Sequence, residues 1–285
     1  MSLRTFMFPA GAALGLALAA APAAAAEQDV VVRFAAKVGA APLACGKTYS
    51  GIGATGAAIT LQDFRVYVSN LRLVDAKGGE TPVRIASDGR WQDDKTALLD
   101  FEDATGNCNG NAAVNREVRG KAAPGRYVGL VFDLGVPADR NHQDTTRAGP
   151  PLNFSALSWP WRAGYKFLTI DIETSAPGRP NASGFSIHLG STDCPSGPLT
   201  APPTSPCARQ NRPTYRFAAF DPARQSVVFD LAELLKATDV TTNAPNTAAG
   251  CMSGQTDDDC AAIMPALGVP FRDLTPKDQS WARVE

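Results

Sequence analysis

The stretch Phe167-Leu168-Thr169-Ile170-Asp171-Ile172 alternates large aliphatic side chains with Thr and Asp. This period of two is typical of a β-strand that has one buried face. Other segments rich in β-branched and aromatic residues are separated by Gly and Pro clusters, and they lie at residues 30–34, 64–68, 127–132, 185–188 and 227–231. The pattern predicts an all-β fold, a single antiparallel β-sandwich with long loops over residues 27–285.

Helical signals are short and few. Residues 231–236 and 260–267 are the two candidate helices, and the second is preceded by three consecutive Asp residues that suit a helix start. The loop over residues 135–161 is long for a connection between strands, so we expect it to carry function.

The first 26 residues have the features of a signal peptide. Arg4 precedes an apolar run over residues 7–20, and residues 21–26 supply the small side chains that a signal peptidase requires. Cleavage is expected after Ala26. The apolar run is shorter than the roughly 20 residues that span a bilayer, so we expect no transmembrane segment and a periplasmic protein.

Charge and motif content exclude several classes of function. The 27 Lys and Arg residues are balanced by 28 Asp and Glu residues without a long run of one sign, which argues against nucleic-acid binding. The sequence contains no Gly-rich phosphate loop, no Cys-X-X-Cys-His haem motif, no Gly-X-Ser-X-Gly and no His-Glu-X-X-His. We therefore expect a protein that is not an enzyme.

The six cysteines of an exported chain favour disulfides over free thiols. Six cysteines allow many pairings, and we expect Cys45 with Cys108, Cys194 with Cys207, and Cys251 with Cys260. The last two pairs would close short loops that have little apolar content of their own.

His142 and His188 are the two histidines of the chain, and Trp159-Pro160-Trp161 lies between them. Each histidine is next to turn residues, and if the two imidazoles meet in space they form a metal site. Trp159 and Trp161 are two residues apart, so on an extended segment their indoles would face the same way, which by default is packing.

Several motifs, in the same order along nearly all of the mature chain, resemble the MbnP family of exported copper-binding proteins, also described as four-Cys members of a metallo-mystery pair. The motifs are Pro42-Leu43-Ala44-Cys45-Gly46-Lys47-Thr48-Tyr49, Asp63-Phe64-Arg65-Val66-Tyr67-Val68, Leu98-Leu99-Asp100-Phe101-Glu102, Leu134-Gly135-Val136-Pro137, Asn141-His142-Gln143-Asp144, Trp159-Pro160-Trp161, Gly164-Tyr165-Lys166-Phe167, His188-Leu189-Gly190-Ser191-Thr192-Asp193-Cys194 and Gly250-Cys251-Met252.

The resemblance implies that a MauG-like di-haem partner, MbnH, uses peroxide to oxidise a tryptophan to kynurenine, on which copper binding depends. More distant copper proteins hold Cu(I) with two histidines and one kynurenine. Carried over, the candidate ligands are His142, His188 and an oxidised Trp159 or Trp161. We favour Trp159 slightly, because it is closer along the chain to the loop of His142. A histidine does not follow the tryptophan two residues on, as it does in one distant relative.

The chemistry is consistent with this interpretation. Cu(I) is soft, accepts few ligands and binds neutral imidazole well, and kynurenine offers an aryl amine and a ketone where indole offers only a donor. We expect Asp144 and Asp193 to accept hydrogen bonds from the ligating imidazoles. Met252 could offer a thioether, although we expect it to be a packing residue.

Two further interpretations stand beside this one. Asp100, Glu102 and Asp103 could bind calcium, although we expect a solvated strand end. For the whole protein, the alternative is a secreted, disulfide-braced interaction module in which the tryptophans form a docking patch and the histidines bind no metal. The two functions differ in whether a neighbouring gene encodes a two-haem protein.

Overall fold

The protein is described by a computed structural model over residues 1–2, 26–176, 184–276 and 279–285. The predicted signal segment therefore falls almost entirely outside the described residues. The strands are β1 (Gln28–Val38), β2 (Ala41–Pro42), β3 (Thr48–Ile52), β4 (Ala57–Asp75), β5 (Glu80–Pro82), β6 (Arg84–Ile85), β7 (Thr96–Asp100), β8 (Glu117–Ala122), β9 (Tyr127–Leu134), β10 (Leu168–Ser175), β11 (Phe185–Leu189), β12 (Thr214–Phe217), β13 (Ser226–Asp230), β14 (Gly250–Cys251) and β15 (Ala282–Val284). The helices are α1 (Leu231–Leu235) and α2 (Cys260–Ala266), and a 3₁₀ turn spans Ser155–Leu157.

The strands form two sheets. The first has the order β15-β13-β1-β8-β6, with β2 added to β1. The second has the order β12-β9-β4-β10-β11-β14, and the 19-residue strand β4 also pairs with β3, β5 and β7. The pairings are antiparallel apart from β1 with β13 and β11 with β14, which are parallel.

Aromatic side chains join the two sheets. The rings of Phe34 on β1 and Phe132 on β9 lie with centroids 5.6 Å apart, and those of Phe64 on β4 and Phe229 on β13 lie 6.4 Å apart. All four side chains are buried, so the apolar faces of both sheets enclose one core. This arrangement confirms the predicted all-β fold with short helices.

Three disulfides brace the loops and have the connectivity expected from the sequence. Cys45 is bonded to Cys108, Cys194 to Cys207, and Cys251 to Cys260. The first links the turn before β3 to the loop after β7. The second closes the Pro-rich loop after β11, and the third ties β14 to the first residue of α2.

The face of the second sheet that points away from Phe229 is polar and nevertheless buried. Arg65 on β4 is opposite both Asp100 on β7 and Thr169 on β10, and Thr169 is opposite His188 on β11. Side chains of residues that pair across a sheet share one face. This polar row is the part of the fold that positions the candidate site.

The expectation of a solvated strand end at residues 100–103 is wrong for two of its carboxylates. Asp100 and Glu102 are both fully buried, because the loop after β7 is held against the sheet by the Cys45–Cys108 bond. Burial, followed by the charge of Glu102, raises the pKa of Asp100 to about 8.

No helix among the described residues is both long enough and apolar enough to cross a membrane.

Candidate metal centre

Trp159-Pro160-Trp161 is the tip of a tight loop between the 3₁₀ turn and β10. An isolated bridge joins Ser158 to Tyr165, and the backbone N–H of Trp159 donates to the carbonyl of Gly164 at 3.0 Å. The backbone N–H groups of Ala163 and Gly164 both donate to the carbonyl of Pro160, so the chain turns immediately after Trp159. The segment is not extended, and the two indoles have different partners.

The indole of Trp159 lies beside His188. Their ring centroids are 6.5 Å apart with the planes tilted by 56°. A Cβ at residue 190 would lie 2.3 Å from Cζ3 of Trp159, so only glycine at that position lets the indole approach the end of β11. Within the described part of the chain, the indole nitrogen of Trp159 has no protein acceptor.

His188 is buried on β11 and is oriented by a carboxylate. Its Nε2 lies 2.9 Å from Oδ1 of Asp171, two residues along β10 from its register partner Thr169. Because an imidazole Nε2–H donates to that carboxylate, the Nδ1 lone pair is the one that can bind a metal.

The carboxylate of Asp171 is ionised in this setting. Burial raises the pKa of Asp171, but the hydrogen bond and charge of His188, helped by Ser186 and Lys166, outweigh burial and leave the pKa below its ordinary value. A carboxylate that accepts from the imidazole fixes the tautomer of His188.

The segment of Met252 is joined to the segment of His188 through the parallel pairing of β11 and β14. Ile187 is opposite Cys251, the last residue of β14, and Met252 is the residue that follows it. The hydroxyl of Ser253 donates to the carbonyl of His188 at 2.8 Å, which ties the two segments together.

A cleft of about 480 Å³ brings Met252 and the indole together, because both line it. Other lining residues are Pro160, Arg162, Ala163, Ser191, Thr192, Asp193 and Cys194. The Trp159 indole thus shares one cleft with Met252 and lies beside the imidazole of His188, and Met252 is the residue that we had expected to serve for packing.

His142 and Trp161 hold each other through reciprocal contacts. The indole N–H of Trp161 donates to the carbonyl of His142, and Nδ1 of His142 lies 3.2 Å from the carbonyl oxygen of Trp161. A carbonyl only accepts, so Nδ1 carries the proton and Nε2 carries the lone pair. Burial lowers the pKa of His142, which favours this neutral form.

The lone pair of His142 faces a disulfide. Its Nε2 lies 3.4 Å from Sγ of Cys207 and 3.2 Å from Nδ2 of Asn141. His142, Cys194 and Cys207 bring one potential ligand atom each to within 4.8 Å of one another, although both sulfurs are bonded. His142 therefore contacts Trp161 and a disulfide, while His188 contacts Trp159.

Asn141 connects the two histidine segments. Its Nδ2 donates to the hydroxyl of Ser191 at 3.2 Å, and its Oδ1 accepts from the backbone N–H of Tyr165 at 3.0 Å. Asn141 is itself buried. The loop of His142, the Trp-Pro-Trp loop and the end of β11 are thus fastened together.

Neither Asp144 nor Asp193 is the partner of an imidazole as the sequence suggested. Asp144 accepts from the backbone N–H and hydroxyl of Thr146, and Asp193 pairs with Arg209 at 2.9 Å. Short polar side chains in loops readily bond to such nearby groups. Asp171 orients His188 instead, and its place on the strand paired with β11 is the signal that could have identified it.

A second cleft, of about 400 Å³, lies on the other side of the Trp-Pro-Trp tip. It is lined by Gln143, Asp144, Thr145, Ser158, Trp159, Pro160, Trp161, Gly164, Tyr165, Leu199 and Thr200. Trp159 and Pro160 line both clefts, so they form the wall between them. A partner that approaches from outside can therefore reach the edge of the Trp159 indole.

Comparison with known proteins gives consistent matches. The sequence profile of the MbnP family matches residues 27–253, a range that includes both histidines, the Trp-Pro-Trp loop and Met252. The solved structure of MbnP from Methylosinus trichosporium is 37% identical in sequence and superposes with a TM-score of 0.77. That match covers 88% of this chain and 92% of the other. No curated protein matches the chain.

Proposed function

Because the chain belongs to the MbnP family, we propose that it is an exported Cu(I)-binding protein that is not itself an enzyme. A di-haem partner oxidises Trp159 to kynurenine, and the modified protein binds copper for acquisition or delivery. The observation that carries the proposal is that the Trp159 indole lies beside the His188 imidazole and lines a cleft that Met252 also lines.

The donor set fits Cu(I) by its chemistry. Nδ1 of a neutral His188 and the sulfur of Met252 are ligands that a soft monovalent ion accepts at low coordination number. Kynurenine adds an aryl amine and a ketone within reach of the same cleft, where indole had only an N–H donor. Asp171 holds His188 in the required tautomer.

This proposal exchanges His142 for Met252 among the ligands expected from the sequence. Nδ1 of His142 donates to the carbonyl of Trp161, and Nε2 lies near Cys207 and Asn141, so both ring nitrogens already have protein partners. Met252 lines the same cleft as Trp159 and supplies the second ligand in place of His142.

Trp159 is a better substrate for oxidation than Trp161. Trp161 uses its indole N–H to hold the loop of His142, whereas Trp159 lines both clefts. The partner's reaction breaks the indole C2–C3 bond and removes C2 as formate. Two molecules of hydrogen peroxide serve as the oxidant and are reduced, and the chain is left with the aryl amine and ketone of kynurenine.

The test is mass spectrometry of the chain produced with and without an active di-haem partner. The tryptic peptide of residues 148–162 contains both tryptophans, and its fragments assign the modification to one of them. We expect kynurenine at residue 159 only with the partner present. The variant Trp161→Phe should still be modified, and Trp159→Phe should not. Intact indoles with an active partner would refute the proposal and favour a docking module.

Copper binding is then measured on the kynurenine form by competition with a chromophoric Cu(I) ligand. His188→Ala and Met252→Leu should both weaken binding. Met264→Leu is a matched control, because Met264 is a fully buried methionine on α2 that does not line the cleft. Equal affinity in Met252→Leu and Met264→Leu would remove Met252 from the site.

A further inference from the structure

His142 has the geometry of a preorganised metal ligand that has no metal partner in the proposed copper site. Its Nδ1–H donates to the carbonyl of Trp161, and its own carbonyl accepts from the Trp161 indole. Metal-binding histidines in proteins commonly donate their second nitrogen to a carbonyl in this way, which fixes the ring and leaves one lone pair outward. Here that lone pair, on Nε2, lies 3.4 Å from Sγ of Cys207 and 3.2 Å from Nδ2 of Asn141, so metal binding would replace the hydrogen bond that the Asn141 amide donates.

The sulfur belongs to the Cys194–Cys207 disulfide. Nε2 of His142 lies 3.4 Å from Sγ of Cys207, and the three potential ligand atoms of His142, Cys194 and Cys207 lie within 4.8 Å of one another. While the two sulfurs are bonded to each other they are poor ligands, because the thiolate is the form of cysteine that binds metals.

The disulfide has one sulfur on the accessible side. Cys207 is 3% exposed, whereas Cys194 is half-buried and lines the cleft of Trp159 and Met252. Attack by a thiolate on a disulfide requires access to one sulfur only. Cys251–Cys260, which closes a loop of comparable length, has both cysteines fully buried and no histidine in its group.

We propose that Cys194, Cys207 and His142 form a second, redox-gated site for a soft metal ion, closed in the disulfide state and opened by a dithiol reductant. One thiol of the reductant attacks Sγ of Cys194, and its second thiol resolves the mixed disulfide. Two electrons and two protons pass to the cysteines, and the reductant leaves as its own disulfide. A Cu(I) ion then binds the two sulfurs and Nε2 of His142, and displaces the two thiol protons.

Cu(I) is the ion that this donor set favours. Two thiolates and one neutral imidazole make a soft, three-coordinate set, which suits monovalent copper. Both thiol protons leave to solvent as Cu(I) binds, so the neutral imidazole of His142 keeps its Nε2 lone pair for the metal. The site goes beyond the proposed function and does not require oxidation of Trp159.

The experiment uses the full chain made without a di-haem partner, so that Trp159 is intact. The protein is treated briefly with a dithiol and separated from it under anaerobic conditions. Alkylation and tryptic mass spectrometry then show which disulfides have opened. We expect Cys194–Cys207 to open before Cys251–Cys260, and the reduced chain to bind one Cu(I) with thiolate-to-copper charge-transfer absorption in the near ultraviolet.

Variants separate a metal site from a merely reactive disulfide. Cys194→Ser/Cys207→Ser should abolish the charge-transfer band, and Cys251→Ser/Cys260→Ser should keep it. His142→Ala should weaken Cu(I) binding about tenfold or more, and the near-isosteric His142→Gln should do the same while keeping the unfolding temperature of the oxidised form.

Two outcomes would overturn the proposal. One is a chain with Cys194 and Cys207 reduced that gains no affinity for Cu(I). The other is equal affinity in the native and both His142 variants, which would mean that the imidazole is not a ligand. Neither outcome depends on kynurenine, so failure here leaves the proposed copper site at His188 untouched.

Discussion

The two histidines of this chain differ in what holds them. His188 belongs to β11, is 8% exposed and donates to the carboxylate of Asp171. His142 belongs to a loop, is half-buried and donates to the carbonyl of Trp161. Each is next to one tryptophan of the same three-residue motif. The Met252 thioether shares a cleft with Trp159, and the Cys194–Cys207 disulfide lies against His142.

The two histidines are held by different structures, so the same residue type can take part in different chemistry at two neighbouring sites. A strand fixes His188 through its register, and the paired strand β10 carries Asp171, which accepts from the imidazole. The loop of His142 depends on side-chain contacts and on the Cys194–Cys207 bond. The sheet therefore suits permanent binding, and the loop suits a site that opens conditionally.

Removing each imidazole in turn should give the largest difference in Cu(I) affinity between the two histidines. In the kynurenine form with all disulfides intact, His188→Ala should lose at least about 100-fold in Cu(I) affinity, which is about 2.8 kcal/mol. The loss follows from removing a ligand. His142→Ala should change the affinity by less than about threefold. Competition with a chromophoric chelator measures both, and a reversed order would assign copper to His142.

The buried polar face that carries His188 should also make the free energy of unfolding depend on pH. The pKa of Asp100 is raised from 3.8 to about 8, so the folded state holds a proton that the unfolded chain releases. The free energy of unfolding is therefore greatest below the unfolded pKa and falls as the pH rises towards about 8.

Asp100→Asn removes this titration. The variant should match the native chain near pH 4 and exceed it at pH 8 by about 1 to 3 kcal/mol. Urea unfolding at the two pH values provides the measurement. Asp103→Asn, which changes a half-exposed carboxylate three residues along the same loop, is the control. A difference from the native chain that is constant with pH would refute the assignment.

The orientation of His188 can be weakened without removing it. Asp171→Asn keeps a hydrogen-bond acceptor but loses the negative charge that favours the Nε2–H tautomer. We expect Cu(I) affinity of the kynurenine form to fall about tenfold. Asp133→Asn is the matched control, because Asp133 pairs with Arg72 rather than with an imidazole and does not line the cleft. Equal losses in the two variants would mean that the carboxylate acts through overall charge.

A substitution in the loop that holds His142 should have the smallest effect on Cu(I) affinity. Trp161→Phe removes the indole N–H that donates to His142, and with it about 1 kcal/mol of stability. Cu(I) affinity of the kynurenine form should stay within about threefold of the native value, because His188 and Met252 are unchanged. Thermal unfolding tests the loss of stability, and the same chelator competition tests the Cu(I) affinity. A large loss of affinity would show that the two histidine groups are coupled.

Much of the fold could be predicted from local pattern. The segments at residues 64–68 and 127–132 are parts of β4 and β9, and the two short helices begin where the sequence suggested. Period-two alternation and turn residues act over a few positions, so they can be recognised without knowing the partners. Disulfide pairing was accessible for two of the bonds because each closes a short loop.

The site was predicted only in part, because its residues meet through register and turns. Met252 follows the two-residue strand β14, whose parallel pairing with β11 leaves almost no sequence signal. Trp159 and Trp161 diverge because backbone hydrogen bonds to Pro160 bend the loop. Asp100 and Glu102 are buried because the Cys45–Cys108 disulfide holds their loop against the sheet.

By itself, the sequence determined the strands, the disulfides and the residue types that can bind copper, since these follow from side-chain chemistry and short-range periodicity. The tertiary structure decided which tryptophan lies beside which histidine, that Asp171 orients His188, and that Met252 lines the same cleft as Trp159. The reason is that metal sites depend on distances between segments remote in sequence, and those distances are set by strand register and loop closure.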